Sequence, residues 1–503
     1  MKCFKLKWLI ALFFIVFLFV LVTKHINSNA ANTRNNTLID VSSQISEEGN
    51  NTNKVEQRRV NLISRESSYQ QLDYRQIGKD NTTYIINSDV DLKGHTVTIP
   101  DNCILRFESG SLRNGVIIGQ NTIIEASPKQ IFSGQITVKG TWCIDKAFVE
   151  WFGCKAINKY NKMVAINNAS AIQRAVSSFK NVTFGTNANA NAFYYVSVKD
   201  KSEYVIKINE PVTLTGINQV STQIVYVGEQ DIPVFYLSKN DVGYVFGSRY
   251  TKIQNMCIRG FNDKCRNGTG IFVEYGVANV VISDLYLSYF NECIASDSWG
   301  VSINRCQAEV SNIGFHLGID HGGLPAMNLT RCTTDYCNTA FSLKGVFNSS
   351  MINCSSDHCV LSWDIRECIG LSLTTIGAEH CKRFMNINGP DCRNIRVSNS
   401  FVCVYKNDVL SKEDWDNYVC VGEKARNVFF ENVDFEMGEP ASLSSIKKRD
   451  LHFINVKGPN SKRQSFVISN SYCNRGDISE YIANKGWLVG SKKNQSKDCG
   501  RVL

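Results

Sequence analysis

The chain has 503 residues, 43% hydrophobic and 20% charged, enough for a large core and more than one ordinary domain unless the fold repeats. Its formal charge of +9 is modest for this length, and Lys and Arg are scattered without a basic helix or dense patch, which argues against a nucleic-acid partner. Val, Ile, Thr, Phe, Tyr and Asn crowd the middle of the chain and Pro is scarce, a strand-and-turn composition.

Lys2, Lys5 and Lys7 precede an unbroken apolar run from Trp8 to Val22, closed by Lys24. That is a basic n-region and an h-region of about 15 residues, short for a bilayer span of roughly 17 to 25. Residues 1–30 therefore read as an export signal, either cleaved after a site such as Ser28-Asn29-Ala30 or kept as a membrane anchor. Cys3 lies before the apolar run, so it is not the lipidated cysteine that ends a lipoprotein signal. Both alternatives place the body outside the cytoplasm: secreted, periplasmic or on the cell surface. Residues 31–75 are polar and read as a linker. The body is expected over 76–480, with a polar tail over 481–503.

From Tyr84 onward, short β-rich runs alternate with Gly and Asn turns, as in "CILRFESG" and "GVIIGQNTIIEA". One helix is predicted over 168–179. Ala169, Ile172, Ala175, Val176 and Phe179 form its apolar stripe, and Asn168 is the expected N-cap. After Ile253 a repeat becomes measurable. Cys332-Thr-Thr-Asp-Tyr-Cys337 returns 22 residues later as Cys354-Ser-Ser-Asp-His-Cys359. Cys381 and Cys403 are expected to continue the step of Cys337 and Cys359. Phe341, Trp363 and Met385 keep the same interval, and Phe315 precedes Phe341 by 26. A period of 21 to 26 with strands and no helical stripe predicts a solenoid of β-coils, one rung about 4.8 Å above the next. "NVFFENVDFEM", "LHFINV" and "SFVISNSYC" read as late strands, and 411–418 as a polar insertion that could flank a groove.

There are 19 cysteines, an odd number, not spaced like a disulfide scaffold. Cys332 and Cys354 share a position filled elsewhere by Leu285 and Ile376, so the leading reading is stacked core thiols. Disulfides and a zinc site built from the two Cys-x4-Cys pairs remain as alternatives.

The segment from Asp91 to Ala126, with Glu150-Trp151-Phe152-Gly153 and Ala171-Ile172-Gln173-Arg174-Ala175, resembles exported right-handed parallel β-helix proteins of the pectin-lyase-like superfamily, of the sort abundant in gut Bacteroidetes. The Asp usual before the helix is replaced by Asn167 and Asn168. Over roughly residues 84 to 470 the resemblance implies an all-β, single-stranded right-handed parallel β-helix with an N-terminal capping helix. Fold does not fix activity. The polygalacturonase motifs are absent. Ile319-Asp320-His321 looks like part of one pectate lyase motif, but its accompanying Arg-x-Pro-x-x-Arg is missing.

The repeat also carries charge. Glu309, Asp335, Asp357 and Glu379 occupy one position on four successive rungs, and Tyr336, His358 and His380 follow on three. Alternation along a strand would turn Arg305, Gln307 and Glu309 outward together, and likewise Arg331, Thr333 and Asp335. Adjacent carboxylates would lie roughly 5 Å apart and alternate ones about 10 Å, bracketing the glycosidase separations. Asp335, Asp357 and Glu379 are the candidate acid and base groups, assisted by His358 and His380. Arg331, Arg305, Glu309, Asp320 and His321 are the candidate substrate contacts, the last two in the longest insertion between these rungs. A lyase would instead use Arg331, His358 and Lys382, with Ca²⁺ held by the acids. The competing view is that rungs repeat surface acids for turn-capping alone.

These features point to a polysaccharide-acting protein, a glycoside hydrolase or polysaccharide lyase with an acidic groove along the coil. The alternative is a non-catalytic glycan-binding or adhesin-like surface protein. A tailspike-like trimer fits less well, because tailspikes assemble in the cytoplasm and this chain carries an export-like segment.

Overall fold

The 22-residue period is one turn of a coil built from three short strands. In the rung at Asn328 these are Asn328–Thr330, Thr333–Asp335 and Thr339–Lys344. Each pairs in parallel with its counterpart one rung on: Leu329 with Met351, Thr334 with Ser356, and Phe341 with Trp363. A computed structural model describes residues 58–62, 76–160, 166–185, 191–239, 249–261, 266–405, 407–438, 453–457, 466–473 and 482–483. Within them the strands form a 7-stranded, a 20-stranded and an 11-stranded sheet. Trp8–Val22 and most of the tail lie outside the described residues. Among the described residues no helix is long and apolar enough to cross a membrane. The first strand, Arg58–Leu62, lies within the stretch read as linker and pairs with Thr82–Ile86.

The rung turns at single left-handed residues. One column stands between the first and second strands: Arg305, Arg331, Asn353, Thr375 and Asn399, with φ between 50° and 56°. A second stands between the second and third strands: Val310, Tyr336, His358 and His380, with φ between 46° and 51°. One αL residue bends the strand sharply, and Asn tolerates it best. This corrects the alternation argument. Arg305 and Arg331 are corner residues, and the strand proper is only Gln307–Glu309 or Thr333–Asp335. The carboxylates remain on the strand.

Inside the coil like side chains stack. Phe315, Phe341 and Trp363 lie nearly parallel, with ring centroids 5.2 and 4.1 Å apart. Cys306, Cys332 and Cys354 line one corner, and Cys337, Cys359 and Cys381 the other; all are buried. Every described cysteine is a free thiol, and Cys143 alone is exposed. The strand Thr333–Asp335 separates the two columns, so the Cys-x4-Cys pairs do not converge. One register expectation fails. Cys403 pairs with Glu379, in the acid column rather than the thiol column. That rung takes two extra residues at the turn after Ile387, where Ile365 aligns with Ile387 but Leu371 with Ile395.

The predicted helix, α1, spans Ala169–Ser178, and its stripe is buried. Asn168 does not cap it. Its amide instead bridges the backbone N–H and C=O of Lys155, and Asn167 Oδ1 accepts from the N–H of Ala169. The helix caps the start of the long stack, but the coil of residues 58–142 precedes it in the chain. Phe179 just after α1 packs against Phe132, Trp142, Trp151 and Phe152. The Glu-Trp-Phe-Gly motif is explained here. Glu150 is buried and accepts from Tyr194 Oη at 2.7 Å and from the N–H of Gly185 at 3.1 Å. Gly153, at φ 88°, ends the turn.

Candidate functional site

Backbone register builds the acid ladder. Glu309 pairs with Asp335, Asp335 with Asp357, and Asp357 with Glu379. Directly after each acid comes the αL corner. The corner rings stack, Tyr336 on His358 at 4.6 Å and His358 on His380 at 4.5 Å, and Tyr405, beyond the strand Arg393–Val404, extends the column onto His380 at 4.2 Å.

Ladder and column are bonded to each other. His358 Nδ1 lies 3.0 Å from Asp357 Oδ1 and 3.5 Å from Asp335 Oδ1. His380 Nδ1 bonds the same Asp357 oxygen at 3.0 Å. A carboxylate only accepts, so the His380–Asp357 bond takes its proton from Nδ1, whereas His358 Nδ1 approaches the same oxygen as a charge contact without hydrogen-bond alignment. Tyr405 Oη donates to Glu379 at 3.1 Å. Glu309 accepts from Tyr286 Oη and from Gln307, each at 2.5 Å. Asp335 differs from its neighbours. Burial, then the nearby Asp357 charge, holds its carboxyl above the usual range, with His358 opposing.

The other sequence candidates do not gather at this corner in the same way. Arg305 forms a two-pronged ion pair with Asp284, at 2.6 and 2.7 Å, rather than facing Glu309. Arg331 is exposed one strand away from Asp335. Asp320 and His321 lie beyond the C-terminal end of the strand Ile313–Leu317, whereas the ladder lies before its N-terminal end. Among nearby tyrosines, Tyr286 is engaged by Glu309, Tyr289 lies under Arg259, and Tyr336 is exposed.

Among the described residues, Asp357, His358 and His380 are the one group of three whose ligand atoms lie within 4.8 Å of one another. Their geometry suits a metal poorly as it stands. The rings are 4.5 Å apart and 3° from parallel. An ion midway would sit about 2.2 Å out of each ring plane, roughly a whole zinc–nitrogen bond. Calcium is a different case. Two adjacent carboxylates offer at most about four of the six to eight oxygens it takes, leaving water or substrate to supply the rest.

A second feature adjoins the insertion at 411–418. A short helix, α2 (Lys412–Asp416), is capped by Ser411 and anchored by buried Trp415. Arg383 bonds Asp414 at 2.8 Å. Burial would raise the Asp414 carboxyl, but the Ser411 and Arg383 bonds outweigh it and leave it below the usual range. Arg383, Asn386, Glu413, Asn417 and Lys457 line an open cleft of about 190 Å³ beside this helix.

Asp297, which sequence reasoning passed over, is a nearly fully buried acid bonded to His321 at 2.5 Å. Its in-register neighbour Glu274 is also an acid but pairs with Lys239, and the Asp-His pair in the insertion marks the place of Asp297.

No family model matches the sequence, and no curated protein matches it. Solved structures do. The tailspike gp42 of Acinetobacter phage vb_AbaP_AS12 is similar at TM-score 0.52 and 14% identity, over 66% of this chain and 58% of that one. The A-module of the mannuronan C-5 epimerase AlgE4 from Azotobacter vinelandii aligns at TM-score 0.41 and 12% identity, over 65% of this chain and 87% of that one. The match thus spans less than two thirds of the phage protein, and identities this low bear on the fold alone. The chain is an all-β, right-handed single-stranded parallel β-helix with the pectin-lyase-like fold.

Proposed function

We propose that this protein acts on polysaccharide laid across the acid-and-imidazole corner, cleaving it by hydrolysis or by lyase chemistry. One observation carries the reading: adjacent Asp335 and Asp357 sit in opposite environments. Asp335 is half-buried and holds its proton to higher pH. Asp357 is half-exposed, with the Nδ1 atoms of His358 and His380 each 3.0 Å from its Oδ1. Unequal neighbouring carboxyls are what general acid and base chemistry needs. A rung spacing of about 4.8 Å puts adjacent carboxylates near the separation of retaining glycosidases. Asp335 is then the acid and Asp357 the base or nucleophile. His358 and His380 hold its charge, and Glu379 and Glu309 bind sugar hydroxyls. For an acidic sugar, exposed Arg331 and Lys382 are the candidate cations. The fold shared with a phage tailspike supports an extended polymer ligand along the coil. Export, with residues 1–30 cut or kept as an anchor, belongs to this reading.

A non-catalytic glycan binder is the second reading. The observation favouring it is that three of the four ladder acids, Glu309, Asp357 and Glu379, are bonded to their own neighbours, as an architectural stack would be.

A turnover screen separates the two. The body, residues 31–503, is incubated with uronate-rich and neutral polysaccharides, with and without Ca²⁺, beside an Asp357→Asn, Glu379→Gln double variant. New reducing ends that vanish in the variant support the catalytic reading, and unsaturated ends identify a lyase. Retention on a polysaccharide gel without cleavage selects the binder. Neither cleavage nor retention sinks both.

A further inference from the structure

A solenoid repeats what its coil requires; here an acid recurs once, as the partly exposed Glu274 paired with Lys239, but the burial and the imidazole contact of Asp297 do not recur. In register with it stand Glu274, Gly318 and Lys344. Asp297 is 4% exposed, and its carboxylate is saturated. Oδ1 accepts from the backbone N–H groups of Ile319 and His321, at 3.0 and 3.1 Å. The N–H of Asp320 lies 3.3 Å from the same oxygen. Oδ2 takes His321 Nδ1 at 2.5 Å. A buried charge needs this many donors to be tolerated.

The backbone bonds alone would fasten the loop. The imidazole is an addition, and it is held on two sides. Asp297 fixes the Nδ1–H tautomer, since a carboxylate cannot donate. Tyr275, from the rung before Asp297, stacks on the ring with centroids 4.2 Å apart and planes 16° apart. Trp299 meets Tyr275 edge-on at 5.8 Å. Lys344, one rung beyond His321, donates to the carbonyl of Ile319 at 3.1 Å. Four successive rungs thus orient one imidazole, yet its side chain is 50% exposed. No bond to its Nε2 occurs among the described residues. The result is an oriented acceptor nitrogen at a solvent-facing corner, beside two aromatic rings, an ammonium and the exposed Asp320. That mixture of acceptor, donor and ring suits a hydroxyl-rich sugar.

We propose that this corner is a second saccharide site, separate from the acid ladder, in which His321 Nε2 accepts a hydrogen bond from a sugar hydroxyl and Asp297 is the positioning residue. It rests on the reading of the protein as polysaccharide-acting.

The test is diethyl pyrocarbonate acylation of the full chain, followed at His321 by peptide mass spectrometry with each polysaccharide of the same panel. His321 should react in the free protein and slow about tenfold at saturating ligand, as roughly 90% occupancy demands. The protection should persist in the Asp357→Asn, Glu379→Gln variant. In Asp297→Asn the side-chain amide donates to Nδ1 and moves the imidazole proton to Nε2. Nitrogen-15 histidine spectra should show that switch, and protection should fall. If that variant misfolds, exposed His321→Gln, scored by retention on the polysaccharide gel, carries the same test. Protection lost with the ladder variant overturns a separate site. Cleavage or retention without protection of His321 overturns this site and leaves the ladder standing. A protein that neither cleaves, retains nor is protected sinks both.

Discussion

His358 and His380, one rung apart, direct their Nδ1 atoms to a single oxygen, Asp357 Oδ1, at 3.0 Å each. The carboxylate charge is what both rings share. Asp357→Asn keeps the shape but removes that charge. If the corner performs acid–base chemistry, kcat should fall by about 10²- to 10⁴-fold. The thermal midpoint should move little, because the group is half-exposed. Comparing kcat and melting curves for the pair of proteins checks this.

The Phe315–Phe341–Trp363 stack predicts a large, purely structural effect. Trp363 is fully buried, with Phe341 4.1 Å away. Trp363→Ala should cost about 3 to 5 kcal/mol. A denaturant titration measures it; a shift below about 1 kcal/mol would mean the coil collapses around the gap, against the close packing seen here.

Glu150 gives the stability a pH dependence. Burial holds its carboxyl above the ordinary 4.5, although Tyr194 and Gly185 hydrogen-bond to it. The folded protein therefore binds this proton more tightly than the unfolded chain. Its contribution is full below the unfolded value and is lost as pH rises through the raised one. Glu150→Gln removes the titration. The variant should gain on the wild type between about pH 4 and pH 7 in denaturant melts. A difference that stays flat across that range contradicts the burial argument.

Thiol labelling tests the core columns. Among the described cysteines Cys143 is exposed and the rest are buried. A maleimide applied to the native protein should mark Cys143 within minutes, and the stacked thiols Cys332, Cys354, Cys337 and Cys359 only after denaturation. Peptide mapping gives the answer residue by residue. Fast native labelling of Cys354 would mean that the coil opens there.

How much of this was written in the sequence depends on what repeats. Cys332 and Cys354, Asp335 and Asp357, Phe341 and Trp363 reveal register because the coil places one copy per rung. The stripe of α1 was legible for the same reason at shorter period. Corner geometry was hidden. Strand alternation says nothing about a single residue at positive φ, so Arg305 and Arg331, exposed as expected, were placed on the strand rather than at the corner before it. Cys403 was misplaced because a two-residue lengthening near Gly389 leaves no mark except the shift it causes. Asp297 escaped notice because only Glu274, one rung earlier, shares its charge, and the next two rungs carry Gly318 and Lys344 there. A buried acid among Ser296 and Ser298 carries no periodic signal, and only the His321 it holds drew attention to the corner.

The aromatic knot around Phe179 has a mechanical meaning. A coil whose rungs touch only their neighbours can shed them one at a time from a free end. Here peeling of the early coil reaches Phe132 and Trp142, both packed against Phe179, with Phe152 also on Phe132 and Trp151 on Phe179. Passing that point exposes several large rings at once. Under a pulling force, unravelling would halt there and then resume in one larger step, so α1 acts as a ratchet stop between the early coil and the stack that carries the ladder.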